Sequence, residues 1–333
     1  MLRVVGTDPG TSSLDLLLLV DGEVVDQVRL EPGRLREDPG LLAGHLARWG
    51  PLDLVVAPSG YGLPLIRGTD LSEDHLEQIA LVRPDERGRD SGVIGFRAWV
   101  RAFLASGVPT VFLPGGLHLP TIPAHRKAGA MDLGTADKIA VAALALHFDA
   151  RLAGGFDRST FALVEIGSAF SAVLVVDRGR IVDASAGSRG PIGPRSGGAW
   201  DGEIACWRRQ ISKDDLFRGG LDDLGSIGPD AFRESLRRHV AGLQSITPFD
   251  RIYLSGRGRE RPDVSSQIDA ALTGLGWTIP LPMLPGAWVK HAAQGAAILA
   301  DALAGGQFAA IADSLRLAEA AGSVWDVLDP PTQ

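Results

Sequence analysis

The chain has 333 residues, 45% of them hydrophobic, with a net charge of -7 and a single cysteine. Length and apolar content favour two packed domains, and the acidic balance argues against a nucleic-acid surface, which needs a concentrated basic patch. Cys206 alone can form neither an internal disulfide nor a cysteine cluster, the histidines lack zinc spacing, and neither a bilayer-length apolar run nor a signal-peptide pattern is present.

A cytoplasmic protein with no nucleic-acid or membrane partner is therefore expected, with Cys206 a buried, inert thiol. In chain order, strands are predicted at 2–8, 14–20 and 23–28. Their turns are too short for helical crossovers, so they form an antiparallel meander. A helix at 41–49, a buried strand at 52–57, a solvated polar connection at 84–92, a helix at 96–106 and a strand at 110–113 follow. Residues 135–148 read as an apolar helix with Thr135 as N-cap and Asp137 in its first turn. A second meander spans 161–184, and a Gly/Pro/Arg/Ser-rich stretch at 187–198 reads as irregular. Helices are expected at 201–210, 229–243, 265–274, 288–303 and 307–321, with a strand at 251–254. Gly154 and Gly155 interrupt the pattern between the meanders, which places domains at 1–152 and 153–333.

The two meanders carry the same device. Asp8-Pro9-Gly10-Thr11-Ser12-Ser13 aligns with Glu165-Ile166-Gly167-Ser168, each between two strands and each followed by a glycine-containing hairpin. A tight glycine turn lets backbone N–H groups approach phosphate oxygens, and the hydroxyls add donors. An acid at the strand end can hold Mg²⁺, usually through water, so Asp8 and Glu165 are the metal candidates. These are also ordinary turn residues, and a plain hairpin would use them too. Other candidates have the same two readings. Ser255-Gly256-Arg257-Gly258 is either a glycine platform for a nucleoside or a strand-to-helix turn. Arg189 and Arg195 in the glycine-rich loop are anion clamps or solvated charges. Asp137 and Lys138 are a base or metal-shell ligand with a phosphate partner, or a carboxylate that complements the helix dipole. Lys290 and His291 precede a helix of small residues, which close packing explains.

The order of these pieces over nearly the whole chain resembles the acetate and sugar kinase, heat-shock-70 and actin superfamily. Residues 190–197, ending in Arg195-Ser196-Gly197, and residues 60–69, Gly60-Tyr61-Gly62-Leu63-Pro64-Leu65-Ile66-Arg67-Gly68-Thr69, are similar to segments of the acyl kinases, the predicted butyrate kinases above all. The resemblance implies an α/β fold of two duplicated actin-like (ribonuclease-H-like) domains. Each would be a mixed sheet with a three-strand meander and flanking helices, with a nucleotide cleft between them. It also implies ATP and Mg²⁺ as cofactors, a small-molecule acceptor, most simply a short-chain carboxylate, and a homodimer. Carried over, Arg195 would stabilise the transferring phosphoryl group and Asp8 would lie at the phosphates, while a hydroxyl acceptor would take Asp137 or Glu165 as its base. Gly10, Thr11, Ser12, Lys138, Gly167 and Ser168 would surround the phosphates, and Gly256, Arg257 and Gly258 the nucleoside. Gly60, Gly62, Arg67 and Arg189 would meet the substrate. The acyl kinases carry an arginine near where this chain has Pro58-Ser59, and the second turn is altered. The rival readings are a kinase for a hydroxyl acceptor and an ATP-binding regulator or assembly protein of the same fold.

Overall fold

The structure, a computed structural model, describes residues 1–10, 13–38, 40–87, 96–208 and 211–328. Its elements in chain order are β1 (Arg3–Pro9), β2 (Leu14–Val20), β3 (Glu23–Leu30), α1 (Pro32–Glu37), α2 (Gly40–Arg48), β4 (Leu54–Val56), β5 (Ile66–Arg67), α3 (Glu73–Ala80), α4 (Phe96–Ala105), β6 (Thr110–Phe112), α5 (Ala124–Lys127) and α6 (Ala136–Ala153). They continue with β7 (Phe161–Ile166), β8 (Ser171–Asp177), β9 (Arg180–Ala186), α7 (Gly202–Arg208), α8 (Gly228–Ile246), β10 (Arg251–Ser255), α9 (Pro262–Leu272), β11 (Trp277–Pro280), α10 (His291–Leu303) and α11 (Ala309–Ser314).

Both meanders form, and they match position for position. The sheets run β3-β2-β1-β4-β6-β5 and β9-β8-β7-β10-β11. In each, an antiparallel meander continues into parallel strands, with β4 beside β1 and β10 beside β7. Asp8 lies opposite Asp15, and Glu165 lies opposite Ala172. Register shifts fall at Leu18/Leu19 and at Val175/Val176, the same place in each copy. The second hairpins turn on Asp21-Gly22 and Arg178-Gly179, all four with φ between 48° and 79°. Positive φ at both central residues is what a two-residue hairpin needs to follow the strand twist.

Two compact units result. The first comprises residues 1–121, 135–148 and 282–333; the second comprises 122–134 and 149–281. The expected division at 152/153 lies near one of these boundaries, but the last segment of the chain joins the first unit. The reason is the packing of α10 on β1. A Cβ on Gly6 would lie 2.0 Å from Ala297 N, and one on Gly295 would lie 1.8 Å from Ala140 O. Only glycine at these two points lets α10 touch both β1 and α6. In the second unit, Arg126 of α5 donates to Val182 O at 2.9 Å, which ties residues 122–134 to β9. One apolar core lies between its sheet and α8 and α9, including Val164, Val173, Phe232, Leu236, Ile252 and Ile268. Beneath it, buried Asp149 accepts from Arg251 Nε at 2.7 Å and Tyr253 Oη at 3.1 Å. Burial, with Asp149 beside it, pushes the Tyr253 hydroxyl well above its usual range.

Several predicted elements differ from what forms. Cys206 is exposed, not buried. It sits on α7, which buries no residue and leaves Trp207 89% exposed. The expected helix at 307–321 stops at Ser314, because Arg316 turns left-handed at φ 54°. The helix expected from Trp288 starts only at His291, with Lys290 as its N-cap residue. The connection after residue 83 begins as a short 3₁₀ turn over Pro84–Glu86 with Glu86 buried, and its residues 88–92 lie outside the described ones. The edge strands β5 and β11 and helix α3 carried no pattern that the sequence reading picked out.

Candidate functional site

In α/β sheets, ligands gather at the carboxyl ends of parallel strands. In the first unit, the turn after β1 and the loop after the parallel strand β4 occupy that edge. Gly10 N donates to Ser13 O at 2.7 Å, closing the turn; Thr11 and Ser12 lie outside the described residues. Gly60 has φ 52°, and its carbonyl accepts from Ala136 N at 3.0 Å, which fastens the start of α6 to the β4 loop. Asp137 and Lys138 follow in the first turn of that helix. Asp137 bonds to Lys138 Nζ at 2.5 Å and to the Thr135 hydroxyl. Burial would raise its carboxyl pKa, but Lys138, Thr135 and then Lys290 outweigh this and hold it below the usual carboxylate range.

Lys290 is the residue that sequence reasoning missed. Its ammonium lies 2.6 Å from Asp8 Oδ2, 3.2 Å from Asp8 O and 3.3 Å from Ser13 O. Its backbone N–H donates to Asp15 Oδ2 at 3.0 Å. Asp15, fully buried, is also paired with Arg29 at 2.8 Å. Burial pushes its carboxyl up, but Arg29 and Lys290 overcome this and leave it below its ordinary value. The N-terminal end of α10 thus meets the first turn, while that of α6 meets the loop after β4, and helix N-termini favour anions. The only signal in the sequence was a lysine just before a small-residue helix, 282 positions from Asp8.

Gly62 has a different task. At φ 92°, its Cβ would fall 1.9 Å from Gly115 N, so the loop after β4 crosses the segment after β6 backbone to backbone. Arg67 is exposed on the edge strand β5, and its register partner Val111 pairs with Val56 and so with Gly6. Three strand spacings, about 14 Å, separate its backbone from β1, so the structure does not bring it to Asp8.

In the second unit, Gly167 N donates to Phe170 O at 2.9 Å, the same closure as in the first turn. Glu165 is buried at the end of β7, while Ser168 is exposed. Because β10 lies parallel beside β7, with Ser255 opposite Glu165, the turn after β10 packs on this one. Gly256, at φ 90°, would place a Cβ 2.1 Å from Ile166 O, and Gly258 would place one 2.4 Å from Gly167 O. Arg257 between them is half-buried.

The glycine-rich loop is more ordered than its composition predicted. Arg195 N and Ser196 N both donate to Ala169 O, at 3.1 and 3.0 Å. Arg195 itself is exposed, its guanidinium 5.5 Å from the centre of the Phe217 ring. Arg189 is exposed and donates to Ala184 O at 3.3 Å. Between this loop and α8 lies a cavity of about 310 Å³, lined by Gly190, Ile192, Gly197, Ser235, Arg238 and His239 among others; neither arginine lines it. His239 meets the Ser185 hydroxyl at 2.8 Å, and burial, with Arg189 nearby, lowers its pKa.

Mg²⁺ asks little of a protein, often one or two carboxylates with water and phosphate oxygens completing its shell. Among the described residues, no three His, Cys, Asp or Glu side chains converge to hold a metal. The Asp8 carboxylate already carries the Lys290 ammonium, and Asp137 carries that of Lys138. Resident cations thus meet both candidate acids of the first unit, Asp8 and Asp137, a poor fit to a protein-held divalent ion there. No described helix is long and apolar enough to cross a membrane.

The chain is similar in fold to a propionate kinase from Francisella tularensis subsp. tularensis SCHU S4, with TM-score 0.58 and 14% identity over 89% of this chain and 99% of that one. It is likewise similar to acetate kinase from Entamoeba histolytica, with TM-score 0.56 and 15% identity over 82% of this chain and 87% of that one. At such identity the likeness is one of architecture: two mixed sheets with flanking helices, the fold that the superfamily resemblance implied. No curated protein matches the sequence. A family model described as "Protein of unknown function (DUF1464)" matches residues 6–329, and the chain belongs to that family.

Proposed function

We propose that the protein is an ATP-dependent kinase for a small molecule, with a short-chain carboxylate as acceptor. The observation that carries the reading is the first-unit turn. There Gly10, the N-terminal end of α10 and the Asp8–Lys290 pair meet at the carboxyl edge of the sheet, where the loop after β4 also holds the N-terminal end of α6 with its Asp137–Lys138 pair. Phosphoryl transfer requires positioning and charge stabilisation more than covalent help from the protein; helix N-termini supply the second, and the lysine-held turn the first. The fold shared with an acetate kinase and a propionate kinase supports the same reading. The nucleotide enters as MgATP, its metal carried on the phosphates as part of the substrate. In the second unit, Gly256 and Gly258 keep the backbone flat where a nucleoside would lie, and Arg195 is the exposed cation assigned to the phosphoryl group.

Of the two acids that could serve a hydroxyl acceptor as base, Asp137 and Glu165, the state of Asp137 favours a carboxylate acceptor instead. A hydroxyl needs a general base, best with a pKa near the working pH. Asp137 is held below the carboxylate range and is bonded to Lys138 and Thr135, so it is a weak base. A carboxylate is ionised at neutral pH and needs none. ADP release measured with MgATP and acetate, propionate, butyrate or a panel of alcohols and sugars tests the proposal. Turnover confined to carboxylates is expected. Turnover confined to alcohols or sugars refutes the acceptor class, and ATP binding without turnover on any acceptor refutes the kinase.

A further inference from the structure

We propose that the ammonium of Lys290 is the resident cation of the first turn, standing where the sequence pattern alone puts a divalent ion on Asp8. The inference takes the phosphate-turn reading of this site as its frame and concerns what holds that turn in shape. A lysine ammonium has three N–H donors and no acceptor. Three oxygens meet it here: Asp8 Oδ2 at 2.6 Å, Asp8 O at 3.2 Å and Ser13 O at 3.3 Å. One carboxylate and two main-chain carbonyls are hard-oxygen donors of the kind that bind Mg²⁺ or Ca²⁺. With an ammonium in contact with them, a second cation at the same oxygens meets direct repulsion.

The lysine is delivered by a rigid support. Its backbone N–H is bonded to Asp15, and Val289 N donates to Gln27 Oε1 at 3.2 Å. Behind it, α10 is locked on β1 through Gly6. Gly10 leaves room for the ammonium, since a Cβ there would lie 2.8 Å from Nζ. The register explains the need for a cation at this point. Asp8 and Asp15 are directly opposed on neighbouring strands, and like charges so placed destabilise a sheet. Arg29 and the Lys290 backbone answer Asp15, and the Lys290 ammonium answers Asp8. Its three donors are spent on the turn, so Lys290 is a positioning residue: it shapes the turn and cancels the Asp8 charge before a phosphate arrives. The second copy has Ala172 opposite Glu165, so it lacks the opposed acids that call for such a cation.

Binding of Mn²⁺, followed without nucleotide by loss of the free-ion paramagnetic resonance signal, tests this directly. Wild type and Asp8→Asn are expected to bind Mn²⁺ equally. Lys290→Met exposes the opposed acids and is expected to bind Mn²⁺ about tenfold more tightly or better, a gain that the Asp8→Asn/Lys290→Met double variant removes. Weaker Mn²⁺ binding in Asp8→Asn than in wild type overturns the proposal, because Asp8 would then already be a metal ligand. Absence of any gain in a folded Lys290→Met overturns it as well. Should Lys290→Met fail to fold by circular dichroism, the comparison of wild type with Asp8→Asn decides alone. Titration with ATP is a separate measurement: its failure counts against the kinase reading and leaves the Mn²⁺ result standing.

Discussion

Gly256→Ala is a demanding test of how the second unit builds its glycine turn. The added Cβ would lie 2.1 Å from Ile166 O, against about 3.4 Å for ordinary contact, so one backbone must retreat by about 1.3 Å. Overpacking of this kind costs about 1–3 kcal/mol. Gly256 also has φ 90° and ψ 145°, a region that side chains other than glycine rarely enter, at about 1–3 kcal/mol. The sum, about 2–6 kcal/mol, is a large share of the about 5–15 kcal/mol that holds a typical protein folded. Because the clash lies between β7 and β10, the loss should be local. Hydrogen exchange followed by mass spectrometry resolves it: amides of residues 161–166 and 251–255 should exchange at least about 30-fold faster, equivalent to about 2 kcal/mol. Amides of β1 and β2 should be unchanged and serve as an internal reference. Unaltered exchange in β7 and β10 would refute the backbone-to-backbone packing of the two turns, and with it the proposal that they hold a nucleotide together.

Gly295→Ala sets two effects against each other. Alanine favours a helix interior by about 1 kcal/mol, but its Cβ would meet Ala140 O at 1.8 Å. An overpacking cost of about 1–3 kcal/mol, less that gain, leaves a net loss of up to about 2 kcal/mol and a lower melting temperature, and a rise would show that α10 does not seat on α6. A third prediction concerns acid. Asp15 has a depressed carboxyl pKa in the folded chain against 3.8 unperturbed. Its contribution to stability is therefore fully present above about pH 4 and disappears as pH falls through the folded value. Urea midpoints of wild type and Asp15→Asn should differ by a constant amount from pH 5 to 7 and converge below about pH 4. A gap that persists undiminished into strong acid would contradict the pairing with Arg29 and Lys290.

Much of the fold was legible because its signals are local. Alternating turns and apolar runs marked both meanders, and the turns Asp21-Gly22 and Asp177-Arg178-Gly179 marked their hairpins. The alignment of Asp8 with Glu165 survives in register, turn closure and bulge position alike. Where a residue's role depended on its surroundings, local pattern gave less. Apolar neighbours put Cys206 indoors, yet α7 packs on nothing that buries it. Gly60, Gly62, Gly256 and Gly258 were singled out as ligand contacts, and each has a demonstrable backbone reason to be glycine. The similarity to the acyl-kinase segment placed Arg67 near the chemistry, and strand order puts it at the far edge of the sheet.

Chain order and short-range patterning sufficed for the duplicated strand–turn–strand units, the acids at their turns and the α/β class, because hairpin register and helix period are set within a few residues. The division into units and the electrostatics of the first turn needed the tertiary structure. Glycines at 6 and 295 admit α10 to β1 and α6, and that contact, with the hydrogen bonds to Asp15 and Gln27, carries Lys290 across 282 positions to Asp8. Packing over such a separation has no period to read. It follows from which backbones can approach each other, and that closeness turns a helix-capping lysine into the counter-charge of a turn.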